Sequence, residues 1–167
     1  MTADAAPLAL QTQRPTRVGA LLVLIAATLW AGMLIGVSFI ATPVKFLAPS
    51  LTLPVALDVG RQTFLLFSRI EIGCAAALLL FTLLGARRFA AIAIAALLAA
   101  AVGAEVAWLL PALDARVSAI IAGQSPPPSQ LHLMYVMLEA AKLALLGASV
   151  ALSVRALSRA AVRPEGW

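Results

Sequence analysis

The residues best suited to chemistry lie in one stretch near the C-terminal end of the chain. They follow alternating spacings of three and four, which is the spacing of one face of a packed helix: His132, Tyr135, Glu139, Lys142, Leu146, Ser149 and Ser153. Histidine, tyrosine and glutamate can exchange protons, and a glutamate can pair with a lysine three residues further along a helix. The pattern therefore indicates a binding cavity, a proton relay or a structural ion network.

The elements that must position these residues follow from composition. Of 167 residues, 63% are hydrophobic and 11% charged, whereas soluble domains carry about 25% charged residues. Four apolar stretches, about 18–41, 62–86, 89–110 and 131–154, are each long enough to cross a hydrocarbon core of about 30 Å as a helix. Four strands could not close a barrel, so helices are expected.

The sequence thus predicts an all-α fold, an integral membrane four-helix transmembrane bundle with short interfacial segments on its outer side. We expect the transmembrane domain to cover 18–157, a disordered cytoplasmic tail to cover 1–17, and a second cytoplasmic tail to cover 158–167. A short interfacial helix is expected to follow Pro111 and to end at Gly123.

Three further ionisable residues interrupt the apolar stretches, namely Arg69, Glu71 and Glu105. A charge facing lipid at the centre of a helix costs about 2.5–3.5 kcal/mol, so these side chains should face the bundle interior. Counting at 1.5 Å per residue places them in the outer half of the membrane, with Arg69 available to Glu105 or Glu139. The predicted polar cluster contains Arg69, Glu71, Glu105, His132, Tyr135, Glu139 and Lys142. Ligand or proton binding and structural or subunit contacts remain equally open interpretations.

The basic residues near the ends of the stretches are unevenly distributed. Seven would lie on one side and three on the other: Arg14, Arg17, Arg87, Arg88, Arg155, Arg159 and Arg163 against Lys45, Arg61 and Arg116. By the positive-inside rule, both termini are expected to be cytoplasmic, in a bacterial inner membrane. Topology and anionic lipid account for the net charge of +5, and nucleic-acid binding is not expected.

Small residues on the first stretch indicate close helix packing. Thr28, Gly32 and Gly36 recur every four residues, as in the glycine pairs that let transmembrane helices approach each other. The contact could lie within the bundle or between protomers. Trp30 is too deep for an interfacial belt and is expected to pack inside the bundle.

Several kinds of chemistry are excluded by the sequence. It contains no Walker loop, no His-Glu-x-x-His, no Cys-x-x-Cys and no serine elbow. One cysteine and one histidine cannot make a thiolate metal cage or ligate a haem from both sides. We therefore assign no catalytic residue, expect no metal and no cofactor, and favour a protein that is not an enzyme, although enzymatic activity stays open.

Short motifs in three of the stretches resemble a known family. They are Trp30-Ala31-Gly32, the segment Ala41-Thr42-Pro43-Val44-Lys45-Phe46, the segment from Gly60 to Phe64, and Leu131-His132. The chain is similar here to the bacterial four-helix membrane proteins of domain-of-unknown-function family 4149, which are related to transmembrane protein 205. The resemblance implies a four-helix membrane protein, with transport or stress-resistance roles.

Three functions are compatible with these observations. The first, which the small size and the lack of catalytic motifs favour, is an accessory or assembly subunit of a larger membrane complex, bound to a partner subunit or self-associated. The second is a homo-oligomeric transporter or exporter, for small molecules or coupled to protons, that uses the polar cluster. The third and weakest is an enzyme acting on a lipid or quinone through His132, Tyr135 and Glu139.

Overall fold

A computed structural model describes residues 17–86 and 88–161, without the side chains of residues 86 and 161. These residues form four long helices: α1 (Arg17–Leu47), α2 (Leu53–Gly85), α3 (Phe89–Ile121) and α4 (Leu131–Ala160). All four are long and apolar enough to cross a membrane. The chain is an all-α four-helix bundle and an integral membrane protein, as the sequence predicts. The N-terminal tail before residue 17, Arg87, and the end of the C-terminal tail lie outside the described residues.

Proline positions explain how the helices bend and begin. α1 becomes π-helical over Ile35–Ala41 shortly before Pro43, and α3 becomes π-helical over Glu105–Leu109 shortly before Pro111. Proline lacks the N–H that continues the helix and crowds the carbonyl four residues earlier, so a wider turn accommodates it. Pro54 lies in the first turn of α2, where no N–H is needed.

The helices are joined by short connections. Residues 48–52 link α1 to α2, and residues 122–130 link α3 to α4. These two connections lie at the same end of the bundle, which we call the loop end. The connection between α2 and α3 and the described chain termini lie at the opposite end, which we call the hairpin end. Gly123 ends α3 with a φ of 78°, a left-handed conformation that favours glycine.

Each helix packs against its two neighbours in a ring. α1 contacts α2 and α4, and α3 contacts the same two helices on the far side. On α1 the buried residues Val23, Ala27, Trp30 and Leu34 form one seam. Their alternating spacings of four and three are typical of helices packed in a bundle. The seam meets Phe67, Ala75, Leu78, Leu98, Val102 and Leu146 in the core.

At the hairpin end, α1 and α2 approach each other at two glycines. A Cβ atom added to Gly85 would lie 2.3 Å from the Cα of Gly19. Only a residue without a side chain fits this crossing, because real Cβ contacts are never that short. The pair therefore fixes how closely the beginning of α1 can pack on the end of α2.

The helices are longer than the sequence predicts. α1 continues to Leu47 and α2 begins at Leu53, so the predicted interfacial connection between them is mostly helical. The predicted helix after Pro111 exists and ends before Gly123, but it continues α3 directly instead of forming a separate element. α4 runs to Ala160, beyond the predicted tail boundary at 158. Apolar periodicity marks only the membrane-buried part of a helix, and a helix can extend past it into polar sequence.

Candidate functional site

Four ionisable side chains meet in the interior of the bundle. The ammonium of Lys142 on α4 lies 2.7 and 2.9 Å from the two carboxylate oxygens of Glu71 on α2. It lies 2.6 Å from Glu105 Oε2 on α3 and 2.7 Å from Glu139 Oε1 on its own helix. We call Glu71, Glu105, Glu139 and Lys142 the carboxylate cage. It joins three of the four helices at one point.

The carboxylate cage is completely removed from solvent. The exposed fraction is 0% for Lys142 and 1% for each of the three glutamates. Charges at such a site cost several kcal/mol each to desolvate, and only close opposite charges offset that cost. With all four groups ionised the cage would carry three negative charges and one positive charge. The excess negative charge favours uptake of protons or of a cation into the cage.

Trp30 on α1 completes the surroundings of the cage. Its indole Nε1 donates a 3.0 Å hydrogen bond to Glu71 Oε1, and the ring is 0% exposed. Thus Glu71 is held by α1 and by α4. Tryptophan in an apolar interior needs an acceptor for its N–H, and that requirement is the signal by which the sequence could have assigned Trp30 to the polar cluster.

The carboxylates of Glu105 and Glu139 still have oxygens that could accept hydrogen bonds. Both oxygens of Glu139 and Oε1 of Glu105 are buried and accept no hydrogen bond from the described residues. Glu139 is close to the Lys142 ammonium, but the angle does not meet hydrogen-bond geometry. Buried oxygens without a donor are unusual in folded proteins. A proton or a small cation bound there would satisfy them.

The three carboxylates also have the arrangement of a cation site. One oxygen from each of Glu71, Glu105 and Glu139 lies within 4.8 Å of the others. Lys142 already occupies the shared position, because its ammonium contacts all three. Carboxylate oxygens are the ligands that hard cations prefer. Lys142 therefore acts as a built-in cation that holds the carboxylates together.

Two cavities lie at the loop end, and one of them adjoins the cage. One, of about 280 Å³, is lined by Ser38, Tyr135 and Glu139 among others, and so reaches the cage. The second, of about 190 Å³, lies among the ends of all four helices and includes Lys45 and Arg61. They share five lining residues: Thr42, Phe46, Phe64, His132 and Tyr135. Tyr135 is buried, with its ring centroid 4.9 Å from that of Phe64.

A third cavity lies at the hairpin end. It has a volume of about 120 Å³ and is lined by Thr82, Ser149 and Ser153 among others. Between it and Lys142, the α4 seam presents Leu146, which is 0% exposed. Ser149 lies seven positions after Lys142, about 10 Å further along the helix. An apolar layer thus separates the cage from the hairpin-end cavity.

The predicted cluster is assembled in part. Glu71, Glu105, Glu139 and Lys142 come together, and the predicted pairing of Glu139 with Lys142 along α4 is confirmed. Tyr135 and His132 line the adjoining cavities. The α4 seam faces the bundle as predicted, since its residues from Tyr135 to Ser153 are buried.

Arg69 is the exception. It lies exposed on α2, and no carboxylate of the described residues lies within 4 Å of it. The predicted pairing with Glu105 or Glu139 is therefore wrong. Glu71, two residues further along, is buried on the opposite side of the helix, and residues two apart on a helix do not share a face.

The small residues of α1 face outward. Thr28 and Gly32 are exposed, and a Cβ atom added to Gly32 or Gly36 would meet nothing within 4 Å. Of the two interpretations, packing within the bundle is therefore excluded for this chain. The face is free to contact lipid or another helix.

The fold and the cage define a class of protein: a polytopic α-helical membrane protein with an ion network buried at the centre of its bundle. No family model matches the chain, and neither a curated protein nor a solved structure is found to match it.

Proposed function

We propose that this protein is a small proton-coupled transporter or exporter, with the carboxylate cage as its proton-binding site. One observation carries the proposal. The Glu139 carboxylate is 1% exposed, its oxygens accept no hydrogen bond from the described residues, and it lines a cavity at the loop end. Intramembrane carboxylates beside a cavity are typical of proton and ion pathways.

The charge balance of the cage supports a switch between two states. Three carboxylates and one ammonium leave an excess of negative charge in the cage. In one state bound protons would neutralise this excess, and in the other a cation or a charged substrate would replace the protons. The Lys142 ammonium can hold different glutamates in the two states, because it already contacts all three. Such a rearrangement would couple protonation to helix packing.

The cavities at the two ends support alternating access. The 280 Å³ cavity at the loop end reaches Glu139, whereas Leu146 lies between the cage and the hairpin-end cavity. We infer a state open at the loop end and closed by an apolar layer at the hairpin end. With both termini cytoplasmic, in a bacterial inner membrane, the loop end would face outward.

Flux measurements test this proposal. The purified protein is reconstituted into liposomes, and currents driven by a pH gradient are recorded on a solid-supported membrane with panels of small anionic, cationic and neutral organic compounds. We expect a pH-driven current with at least one panel that disappears in Glu139→Gln and persists in Arg155→Gln, which removes an exposed charge from the hairpin end. Absence of any pH-driven current from the wild-type protein with all panels would refute transport.

A second function, as an accessory or assembly subunit, is favoured by the surface of α1 and α2. The Gly32 face is uncovered, and Arg69 lies exposed near the middle of α2. A lipid-facing charge at that depth is costly, and small residues favour helix contacts. We propose that these features contact a partner helix from a second copy or from another protein.

Native mass spectrometry after gentle extraction from the original membrane shows whether the partner is a second copy or another protein. A stoichiometric second protein would support the accessory role, and a homo-oligomer would support transport by a dimer or larger assembly. Gly32→Ile should dissociate either complex, with Gly103→Ile on the open side of α3 as the matched control. The relation to family 4149 remains a proposal that fits both roles.

A further inference from the structure

Lys45, at the loop end of α1, is a cation with no neutralising partner among the described residues. Its ammonium lies 5.1 Å from the centroid of the Phe46 ring and 5.8 Å from that of Phe64. Within residues 17–86 and 88–161, no carboxylate lies within 4 Å of it. Cation–π contacts hold an ammonium but leave its charge in place. Lys45 lines the 190 Å³ cavity.

The other cations of this cavity are already engaged. Arg61 lies 2.6 Å from Asp58 and 3.6 Å from Asp114, and Arg116 donates to the Pro127 carbonyl. Within the described part of the chain, Lys45 is therefore the cation of this cavity whose N–H groups donate to neither a carboxylate nor a carbonyl.

Gly60 on α2 gives the lysine its position. A Cβ atom at Gly60 would lie 2.1 Å from Lys45 Nζ, so the ammonium lies directly over the glycine backbone. Any side chain there would push the lysine aside, although a flexible lysine can move at low cost. The absence of a side chain at one position thus allows a charge to be held at the cavity wall.

The remainder of the cavity wall restricts the occupant. Three charged cations and one carboxylate line it, which gives a net charge of +2 with His132 neutral. The other lining groups are largely apolar, among them Leu57, Leu110 and Val117. Its volume of about 190 Å³ is below the range of about 300–1,000 Å³ for drug-sized ligands. A small molecule with one anionic head and a short apolar chain fits these properties.

We propose that the 190 Å³ cavity at the loop end binds a small amphiphile with a singly negative head, placed on Lys45, and an alkyl chain against the apolar wall. The head could belong to a free carboxylate or to an anionic lipid, since both present the same chemistry. The inference that this amphiphile is the transported substrate rests on the proposed function. Its binding to the cavity can be measured without any flux.

Equilibrium dialysis of radiolabelled octanoate against the protein in phosphatidylcholine nanodiscs tests the site, with empty nanodiscs subtracted. We expect saturable binding that weakens about tenfold or more in Lys45→Met, as loss of a charged hydrogen bond predicts, and that persists in Lys45→Arg. Arg155→Gln is the matched control and should bind as the wild type does. Octanol, which has no charge, should bind equally to wild type and Lys45→Met.

A second variant tests the role of position without changing charge. Gly60→Ala retains Lys45 but displaces its ammonium, and we expect octanoate binding to weaken severalfold while size-exclusion profiles stay unchanged. Equal octanoate binding by wild type, Lys45→Met and Gly60→Ala would overturn the inference, as would no saturable binding by the wild type.

Changing the lipid composition of the nanodisc shows whether the anion is a free carboxylate or an anionic lipid. If phosphatidylglycerol in the nanodisc lowers octanoate binding by the wild type but not the residual binding by Lys45→Met, an anionic lipid occupies the site. Unchanged binding identifies a free carboxylate, and either result retains the anion site. Octanoate binding without pH-driven current would refute the proposed transport alone, and pH-driven current without octanoate binding would refute the anion site alone.

Discussion

Replacing Lys142 with methionine is the sharpest test of the carboxylate cage. The ammonium lies within 2.9 Å of four carboxylate oxygens and is 0% exposed. Methionine fills a similar volume but leaves three buried glutamates without a counter-charge. Removing one partner of a buried ionic network costs about 3–5 kcal/mol of unfolding free energy. At about 2–4 °C per kcal/mol for a chain of this size, the melting temperature should fall by about 6–20 °C.

The same substitution in a neutral cage provides the control. Buried ionic groups replaced together by uncharged groups of similar size are often close to neutral in stability. We therefore expect Lys142→Met combined with Glu71→Gln, Glu105→Gln and Glu139→Gln to recover most of the lost melting temperature. The loss of melting temperature caused by Lys142→Met alone should also be smaller at pH 5 than at pH 8, because protons can neutralise the unpaired carboxylates.

Thermal unfolding in one detergent, followed by intrinsic fluorescence and by the monodisperse fraction on size exclusion, measures these differences. The reasoning is wrong if Lys142→Met melts within about 1 °C of the wild type, which corresponds to less than 1 kcal/mol. It is also wrong if the neutral variant is no more stable than Lys142→Met, since the cost would then come from packing and not from charge.

Two further substitutions test the packing around the cage. Gly85→Ala should destabilise the protein and lower its expression, because the new Cβ would meet the Gly19 backbone at 2.3 Å. Gly103→Ala, which has open space, should be neutral or stabilising by about 0.5–1 kcal/mol, and equal melting temperatures for the two variants would contradict the close crossing. Trp30→Phe should cost about 1.5–3 kcal/mol for the lost bond to a charged acceptor, measured by thermal unfolding. If that cost is unchanged when Glu71 is also replaced by methionine, which has no oxygen acceptor, the hydrogen bond is not its source.

The number and type of elements were predicted correctly, because long apolar runs can satisfy their backbone in a membrane only as helices. The positions at which the helices end were not predicted correctly. Thr42 to Leu47 continues α1 through a proline, and proline is compatible with a helix that has a wider turn before it.

For the candidate site, position along the sequence was a good guide within one helix and a weaker guide between helices. The pairing of Glu139 with Lys142 follows from their spacing on α4. The choice between Arg69 and Glu71 depends on how α2 is rotated about its axis, which is set by packing. The role of Gly60 in positioning Lys45 has no signal in the local sequence, since it is a contact between two helices.

The sequence by itself determined that this chain crosses a membrane as four helices and that polar residues of α4 face inward, since both follow from the cost of exposing polar groups to lipid. Only the tertiary structure decided that Lys142 serves three glutamates, that Trp30 holds one of them, and that Arg69 and the Gly32 face lie outside the bundle. Helix periodicity gives the face on which a residue lies, whereas the neighbour it meets depends on the rotation and order of all four helices together.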